Sequence, residues 1–378
     1  MSKLRINHIC PSFNNKIYQF LVEEQIDLDN DVRVFYFTQK NKGLPNGDKP
    51  YVDGVSPFTF VDRFFYFIKE QKVYSAYRKI YYEADFDIIH AHTLFTSGYI
   101  AYKLKKKHNI PYVVAVRGTD VNLFFRQRFY LRRIGISIMQ NAGAVVFISP
   151  SHMNEVLHTY IPKNKVETIR QKCYMIPNGI DDFWHEKEYN HPSPESGRIK
   201  LIYYGDINKN KNIAATIKAC DLLKDRGYSI KFKVIGKIFE KSITKLLEEK
   251  DYIEYIGFSP KEEIISYLRA SDIFVMPSFS ETFGLTYVEA MSQGVPVIFT
   301  KGQGFDGFFP DGHVGYRVDP GNPSMIADRI IDILGNYKQI SGNCVVGSRR
   351  FSWEKIAQTY QSLYYMVCGL SGEGNNRI

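Results

Sequence analysis

Short apolar runs rich in β-branched and aromatic residues alternate with helical stretches along this chain, stop, and begin again. That rhythm restricts the fold more than any other feature of the sequence. LRINHIC (4–10), VRVFYF (32–37), DIIHAH (87–92), YVVAVR (112–117) and GAVVFIS (143–149) lack strict alternation of polar and apolar residues. They read as strands buried on both faces, which need helices above and below them. SGYIAYKLKKKH (97–108) is such a helix. The pattern is the βαβ rhythm of a doubly wound parallel sheet.

The second round consists of IKLIYYG (199–205), IKFKVIG (230–236), YIEYIG (252–257), IFVMPS (273–278) and VPVIFT (295–300) as strands. NIAATIKACDLLKDRG (212–227), PKEEIISYLRAS (260–271) and GLTYVEAMSQG (284–294) read as helices, each stopping at or beside Gly or Ser. The polar stretch 181–198, with Pro192, Pro194 and Gly197, reads as a linker between the rounds. Two α/β Rossmann-like domains are therefore expected, 1–185 and 186–352, facing a cleft. The aromatic-rich stretch FSWEKIAQTYQSLYYMV (351–367) reads as a helix, and 353–378 is set apart as that helix with a frayed tail. In open α/β sheets ligands sit at the carboxyl ends of strands, so the ends of 199–205 and 273–278 should face the cleft.

Composition removes several classes of function. With 44% hydrophobic residues among 378, the chain can bury two cores and is not disordered. Gly 27 and Pro 16 exclude collagen-like and low-complexity readings. No apolar run approaches the ~20 residues that span a bilayer. MSKLRINHICPSFNN lacks the apolar core of a secretory signal, so cytoplasmic placement is expected. The cysteines, Cys10, Cys173, Cys220, Cys344 and Cys368, are scattered without zinc spacing and read as reduced thiols. Residues 1–190 carry 26 Lys and Arg against 19 Asp and Glu, whereas the remainder carries 23 against 21. The basic half points to an anionic partner on that side.

The densest chemistry lies in PSFSETFGLTYVEAMSQGVPVIFT (277–300), a strand, loop, helix, glycine and strand in order. Glu281 stands in the loop, Phe283, Gly284 and Leu285 open the helix, and Glu289 lies one turn in. A helix start offers unpaired N–H groups and partial positive charge, which suits phosphate. A carboxylate nearby can accept the hydroxyls of a ribose or a sugar. The same residues also fit a solvated helix face with a capping glutamate.

The pattern P-S-x-x-E-x-F-G-L-x-x-x-E-A-M-x-x-G-x-P-V over 277–297 resembles the signature of the retaining glycosyltransferases of family 4, which have the GT-B fold. HAHTLFTSGYIAYKLKKKHNIPYVVAVRGTDVN (90–122), ISPS (148–151), IPNGID (176–181) and the pair Gly205 and Lys211 agree in order, so the likeness runs from about residue 4 to 367. It implies that the last helix crosses back to the first domain. It implies that Glu281 holds the donor sugar hydroxyls, Glu289 the ribose, and Lys211 the diphosphate leaving group. The amides of Phe283, Gly284 and Leu285 contact phosphate and sugar. No metal and no cofactor are implied beyond the nucleoside-diphosphate sugar, a uridine nucleotide being commonest in the family. Asp181-Asp182 and Asp85-x-Asp87 are read as look-alikes of a metal motif rather than ligands. The acceptor implied is a saccharide or a lipid-linked saccharide, in bacterial cell-surface polysaccharide synthesis.

The chain departs from the family pattern in three places. Asp206 follows Gly205 where the family commonly has Arg, which leaves Lys209 in NKNKN (208–212) as a second cation for phosphate. The first loop, PSFNNKIYQF (11–20), contains no glycine, and Asn14, Asn15 and Lys16 are its candidates for the acceptor side. Arg117-Gly118 stands where the family has His-Gly; arginine can touch phosphate or sugar but cannot act as a base, and His92 can replace some of the lost polarity. Gly302, Gly304 and Gly307 match a dinucleotide fingerprint. Pro310 and Asp311-Gly312 forbid the helix it requires, so the segment reads as a loop near the donor sugar. Segments 58–82 and 123–135 interleave Arg and Lys with Phe and Tyr, and read either as packed amphipathic helices or as a peripheral surface for anionic lipid. Nucleic acid is not expected, because no nucleic-acid module is present. A sugar phosphorylase and a non-catalytic nucleotide-binding scaffold are the two other readings.

Overall fold

The computed structural model describes residues 3–43, 49–82 and 85–370. The tail expected to fray lies, beyond Leu370, outside the described residues. The chain forms two compact units. One comprises Met1–Ile148, His152–Asn178 and Trp353–Ile378, and the other Ser149–Ser151 and Gly179–Ser352. The stretch 181–198, read above as a linker, belongs to the second unit. Trp184 in it is buried, its carbonyl accepts from Gln293 Nε2, and Tyr189 N donates to Ser292 O. One buried indole anchors a segment that its polar neighbours make look free.

In the first unit the strands are β1 (Arg5–Cys10), β2 (Asp31–Gln39), β3 (Val52–Phe58), β4 (Ile88–Ala91), β5 (Tyr112–Val116), β6 (Ala144–Phe147) and β7 (Cys173–Met175). They form one sheet in the order β3-β2-β1-β4-β5-β6-β7, with every pairing parallel. Alternate residues feed two cores: Ile6, Ile88, Val113 and Val146 pack on one side, and Ile9, Ile89, Val114 and Phe147 on the other. This is why these strands show unbroken apolar runs. In the second unit β8 (Arg198–Tyr204), β9 (Ser229–Ile235), β10 (Ile253–Ile256), β11 (Ile273–Val275), β12 (Val297–Thr300) and β13 (Gly315–Val318) form a parallel sheet in the order β10-β9-β8-β11-β12-β13. Both units have the alternating α/β architecture expected from the sequence.

The helices that bear on function are α1 (Lys16–Asp27), α2 (Tyr66–Ile80), α3 (Ser97–His108), α4 (Ile213–Asp225), α5 (Leu285–Ser292) and α6 (Trp353–Val367). The last of these is part of the first unit, as the resemblance implies. Its Trp353, Ile356, Ala357, Tyr360 and Tyr364 are buried among Leu4, Ile6, Val34 and Val113. Polar bonds fix its register. Gln25 Nε2 on α1 donates to Tyr364 Oη at 2.9 Å, His90 Nδ1 lies 2.6 Å from the same hydroxyl, and Asn30 Nδ2 donates to Gln361 Oε1 at 2.8 Å. Removing the ring of buried Tyr360 leaves a cavity in this core, at a typical cost of about 3–5 kcal/mol. Tyr360→Ala is therefore expected to destabilise the first unit by that amount in urea unfolding followed by circular dichroism. A loss below about 1 kcal/mol would show that α6 is not integral to that core.

Candidate active site

The order of strands in the second sheet reverses between β8 and β11, which lie side by side with Leu201 opposite Ile273 and Ile202 opposite Phe274. The loops leaving these strands at such a switch point diverge and leave a crevice at their carboxyl ends. The loop after β8 runs from Gly205 to Asn212, and that after β11 from Met276 to Gly284. Asn210 clasps the two. Its Nδ2 donates to Ser280 O at 2.8 Å, its Oδ1 accepts from Ser280 N at 2.9 Å, and its carbonyl accepts from Phe279 N at 2.8 Å. Asn212 Nδ2 adds bonds to Pro277 O at 3.1 Å and Pro320 O at 2.8 Å.

Held this way, Lys211 Nζ lies 2.6 Å from Glu281 Oε2. The two side chains are 20% and 15% exposed, so the pair is shielded yet open to a ligand. Lys211 retains two further N–H donors beyond the one that Glu281 takes. Glu281 is fixed from its own backbone as well: Oε1 accepts from Thr282 N at 3.1 Å, and its N–H donates to Gln303 Oε1 at 3.0 Å. The loop containing Gly302, Gly304 and Gly307 is non-helical and lies against this turn. Gly304 N donates to Glu281 O at 2.9 Å. A Cβ on Gly304 would fall 2.3 Å from the Thr282 carbonyl carbon, so no other residue fits there.

Gly284 precedes α5 with φ 86° and ψ 68°, a left-handed conformation that glycine adopts freely. A Cβ there would meet Tyr287 Cδ2 at 2.4 Å and Glu281 Cγ at 3.3 Å, so Glu281 sits directly beside the helix start. Among the described residues no acceptor meets the N–H groups of Gly284, Leu285 and Thr286. These are the orphan donors of a first helical turn, at its positive end. Phe283 is buried, its ring edge-on to Phe308, and anchors the turn from below.

Glu289 lies on the same helix, partly exposed. Its Oε2 accepts from Tyr204 Oη at 2.8 Å, and low-polarity surroundings push the carboxyl up to about 7. Gly205 follows Tyr204 directly, with its N–H donating to Ile235 O at 3.0 Å. Asp206 is exposed, and its carbonyl accepts from Tyr203 Oη at 2.6 Å. Lys209 is engaged elsewhere: its Nζ lies 3.3 Å from Glu240 Oε2 and its N–H donates to Glu240 Oε1 at 2.9 Å.

The remaining sequence candidates belong to the first unit, at its own switch point between β1 and β4. Asn14, Asn15 and Lys16 are exposed after β1, and Asn15 Oδ1 caps α1 by accepting from Ile17 N at 3.1 Å. Arg117 is buried behind β5. It donates from Nη1 to Asn178 Oδ1 at 2.9 Å and from Nε to His92 O at 3.3 Å, and stacks over Tyr18 at 5.5 Å. Asp120 underpins it, accepting from the N–H groups of Arg117, Leu94 and Phe95. His92 belongs to a buried set with His8 and His90. His8 Nδ1 lies 2.9 Å from His92 Nε2, and the rings of His90 and His92 stack at 4.1 Å with planes 14° apart. One nitrogen of each ring, His8 Nε2, His90 Nε2 and His92 Nδ1, is buried without a hydrogen-bond partner among the described residues. Burial, reinforced by the adjacent imidazoles of His90 and His8 and by Arg117, holds His92 well below its usual range, so it is neutral.

Asn210, Gln303, Tyr204, Asn178 and Tyr18 escaped the sequence reading. Asn210 carried a signal as the centre of the NKNKN run, Asn178 as part of IPNGID, and Gln303 as part of the loop from Gly302 to Gly307. The basic aromatic segments are sorted by burial. In 123–135, Phe124, Phe125 and Leu131 are core residues, while Phe129 and Tyr130 are exposed. Arg126 is held by Glu155 and Arg132 by Phe125 O. In 58–82 the exposed residues outnumber the buried rings.

The model of the family described as Glycosyltransferase Family 4 matches residues 19–182, and that described as Glycosyl transferases group 1 matches residues 186–341. The chain is similar to the alpha-monoglucosyldiacylglycerol synthase of Acholeplasma laidlawii, 26% identical over 305 residues that cover 74% of this chain and 75% of the relative. Among solved structures it is similar to the sucrose-phosphate synthase of Thermosynechococcus elongatus, with TM-score 0.72, 20% identity and coverage of 97% and 99%. It is also similar to Anabaena HepE in complex with UDP, with TM-score 0.69, 15% identity and coverage of 95% and 98%. The chain has the GT-B fold and belongs to the family 4 glycosyltransferases. It is a transferase of glycosyl groups.

Gly284 tests the turn directly. Gly284→Ala must leave the left-handed region or displace Tyr287. It is expected to lower the melting temperature by several degrees and to weaken nucleotide binding about tenfold or more. Isothermal titration with uridine diphosphate checks the binding, and unchanged affinity would separate the turn from the ligand.

Proposed function

We propose that the chain is a metal-independent, retaining transferase that moves a sugar from a nucleoside-diphosphate sugar, with uridine as the base, to a saccharide or lipid-linked saccharide at a membrane surface. Cell-surface polysaccharide synthesis in a bacterium is the setting that suits such an acceptor. The observation that carries this reading is the Lys211–Glu281 pair, 2.6 Å apart beside a helix start with unpaired N–H groups. The similarity to an enzyme whose name specifies a glycosylated diacylglycerol supports the lipid side, and that to HepE with UDP supports uridine.

In this reading the orphan amides of α5 and the two free donors of Lys211 receive the diphosphate. Negative charge grows there as the sugar departs, and fixed donors lower the barrier because they need no reorganisation. Glu281, tethered by Lys211 and Thr282 N, accepts sugar hydroxyls and faces the positive charge that develops at the anomeric carbon. Glu289 accepts the ribose hydroxyls. The acceptor hydroxyl attacks from the face that the diphosphate leaves, and a phosphate oxygen takes its proton. His92 is a weak base because burial holds its ring well below the usual range, and the Arg117 guanidinium offers no acceptor for a proton.

Glu281→Ala is expected to reduce turnover by about 10²–10³-fold while leaving the fold intact. Near-native turnover, measured as release of nucleoside diphosphate, would sink the assignment. The Glu289 carboxyl gives a second test. Above pH about 7 it is ionised and accepts hydroxyls with charge assistance; below, it is protonated and that assistance is lost. Nucleotide affinity should therefore fall severalfold as pH drops from about 8 to about 6, and the slope should vanish in Glu289→Gln. A slope that persists in the variant assigns the titration to another group.

A further inference from the structure

A helix on the surface of a soluble domain presents polar residues outward, but α2 does not. Its inner face buries Tyr66, Val73, Tyr74 and Tyr77. Its first turn and the turn before it expose Phe60, Val61, Phe64, Phe65, Phe67 and Ile68, each between 52% and 64% accessible. Six large apolar side chains exposed within nine residues form a contiguous patch, and such patches mark binding surfaces. Phe60 and Phe64 pack edge to face at 5.6 Å, so the patch is ordered before anything covers it.

The same face continues along the helix. Residues 67, 71, 75, 78 and 82 recur at helical spacing, and Gln71, Ser75, Arg78, Lys79 and Tyr82 line a surface hollow of about 380 Å³. Among the described residues Arg63, Arg78 and Lys79 have no carboxylate partner, whereas Lys72 is bound by Asp62 at 2.7 Å. Unpaired cations beside exposed rings complement an anionic surface that is apolar underneath. No helix among the described residues is long and apolar enough to cross a membrane, so attachment at the surface is the mode open to this patch.

We infer that the outward face of α2 and its preceding turn is a bilayer-docking surface, in which Phe64, Phe67 and Ile68 enter the acyl boundary while Arg78 and Lys79 meet lipid phosphates. This deepens the membrane part of the function proposed above and rests on it. It also differs in mode from simple electrostatic adsorption, because the rings supply attachment that salt does not screen. A second copy of the chain is a poorer occupant: a two-fold interface would bring the cations of both copies, Arg63, Arg78 and Lys79 from each, into one patch.

The test uses the full-length protein in flotation with vesicles of phosphatidylcholine, with and without phosphatidylglycerol. Expected is binding to the anionic vesicles that high salt weakens without abolishing. Phe64→Ser with Phe67→Ser should cut binding to both vesicle types tenfold or more. Arg78→Glu with Lys79→Glu should remove only the anionic preference. All four side chains lie away from the Glu281 turn in sequence and none is a core residue, so melting temperature and nucleotide affinity should stay at native values. Equal partitioning of the native protein and the phenylalanine variant would overturn the inference. So would a native dimer in sedimentation that the same variant dissolves, with no vesicle binding. Vesicle binding by a protein that transfers no sugar to a lipid-linked acceptor would leave the surface standing and overturn the lipid-acceptor reading instead.

Discussion

The site depends on one ion pair that cannot exist unless two loops are held still. Lys211 and Glu281 are 70 residues apart in sequence and 2.6 Å apart in space, with little of either side chain in water. Two opposite charges so placed hold each other, but ordering two flexible chains opposes the contact, and exposed pairs gain little net stability. The surroundings remove that opposition in advance. Asn210 ties the backbones together with three hydrogen bonds, and Gly304 closes the far side against Thr282. Tyr287, bonded to Met276 O at 2.6 Å, fills the space that a side chain at 284 would need. The pair is then presented rather than formed by a ligand.

That arrangement also limits the cations at the site. Asp206, exposed, stands where the family commonly has arginine, and the Lys209 Nζ lies 3.3 Å from Glu240 Oε2. Of the candidates in the second unit, Lys211 keeps two donors beyond the one that Glu281 takes, and the start of α5 keeps unpaired N–H groups among the described residues. A helix end is a weaker charge than a guanidinium, but its donors are rigid and cost nothing to orient. In the first unit, the three buried histidines are neutral by burial, His8 being lowered to about 4. They link β1 and β4 to α6 through Tyr364 and work as a polar seam in an otherwise apolar core.

The first unit shows how one helix serves two solvents. The inner face of α2 packs Tyr77 edge to face on Phe35 at 5.0 Å, and even its acid, Glu70, is fully buried beside Lys69 and raised to about 7 by that burial. The outer face exposes six apolar side chains at one end and, at the other, cations with no carboxylate partner among the described residues. Composition alone could not separate these faces, because both are made of Phe, Tyr, Lys and Arg.

Most of the architecture was legible in the sequence because central parallel strands have no polar face: β1, β4, β5, β6, β8, β11 and β12 stand out as apolar runs. The strands that escaped, β3, β7 and β13, all lie at sheet edges. β3 contains Gly54 and Pro57 and is only partly buried, and β7 and β13 have three and four residues. An edge strand satisfies half its backbone with solvent and needs no apolar signature. The glutamates and the glycine of the 281–289 turn were likewise visible, because a helix start and the acids around it follow local rules of spacing. What only the folded chain decided is which side chains meet across long separations: Asn210 with Ser280, Tyr204 with Glu289, Arg117 with Asn178, and Lys209 with Glu240 instead of the site. Local sequence sets the conformation of a turn, whereas the partner of a charge is set by strand order and register, and these emerge only when the sheet closes.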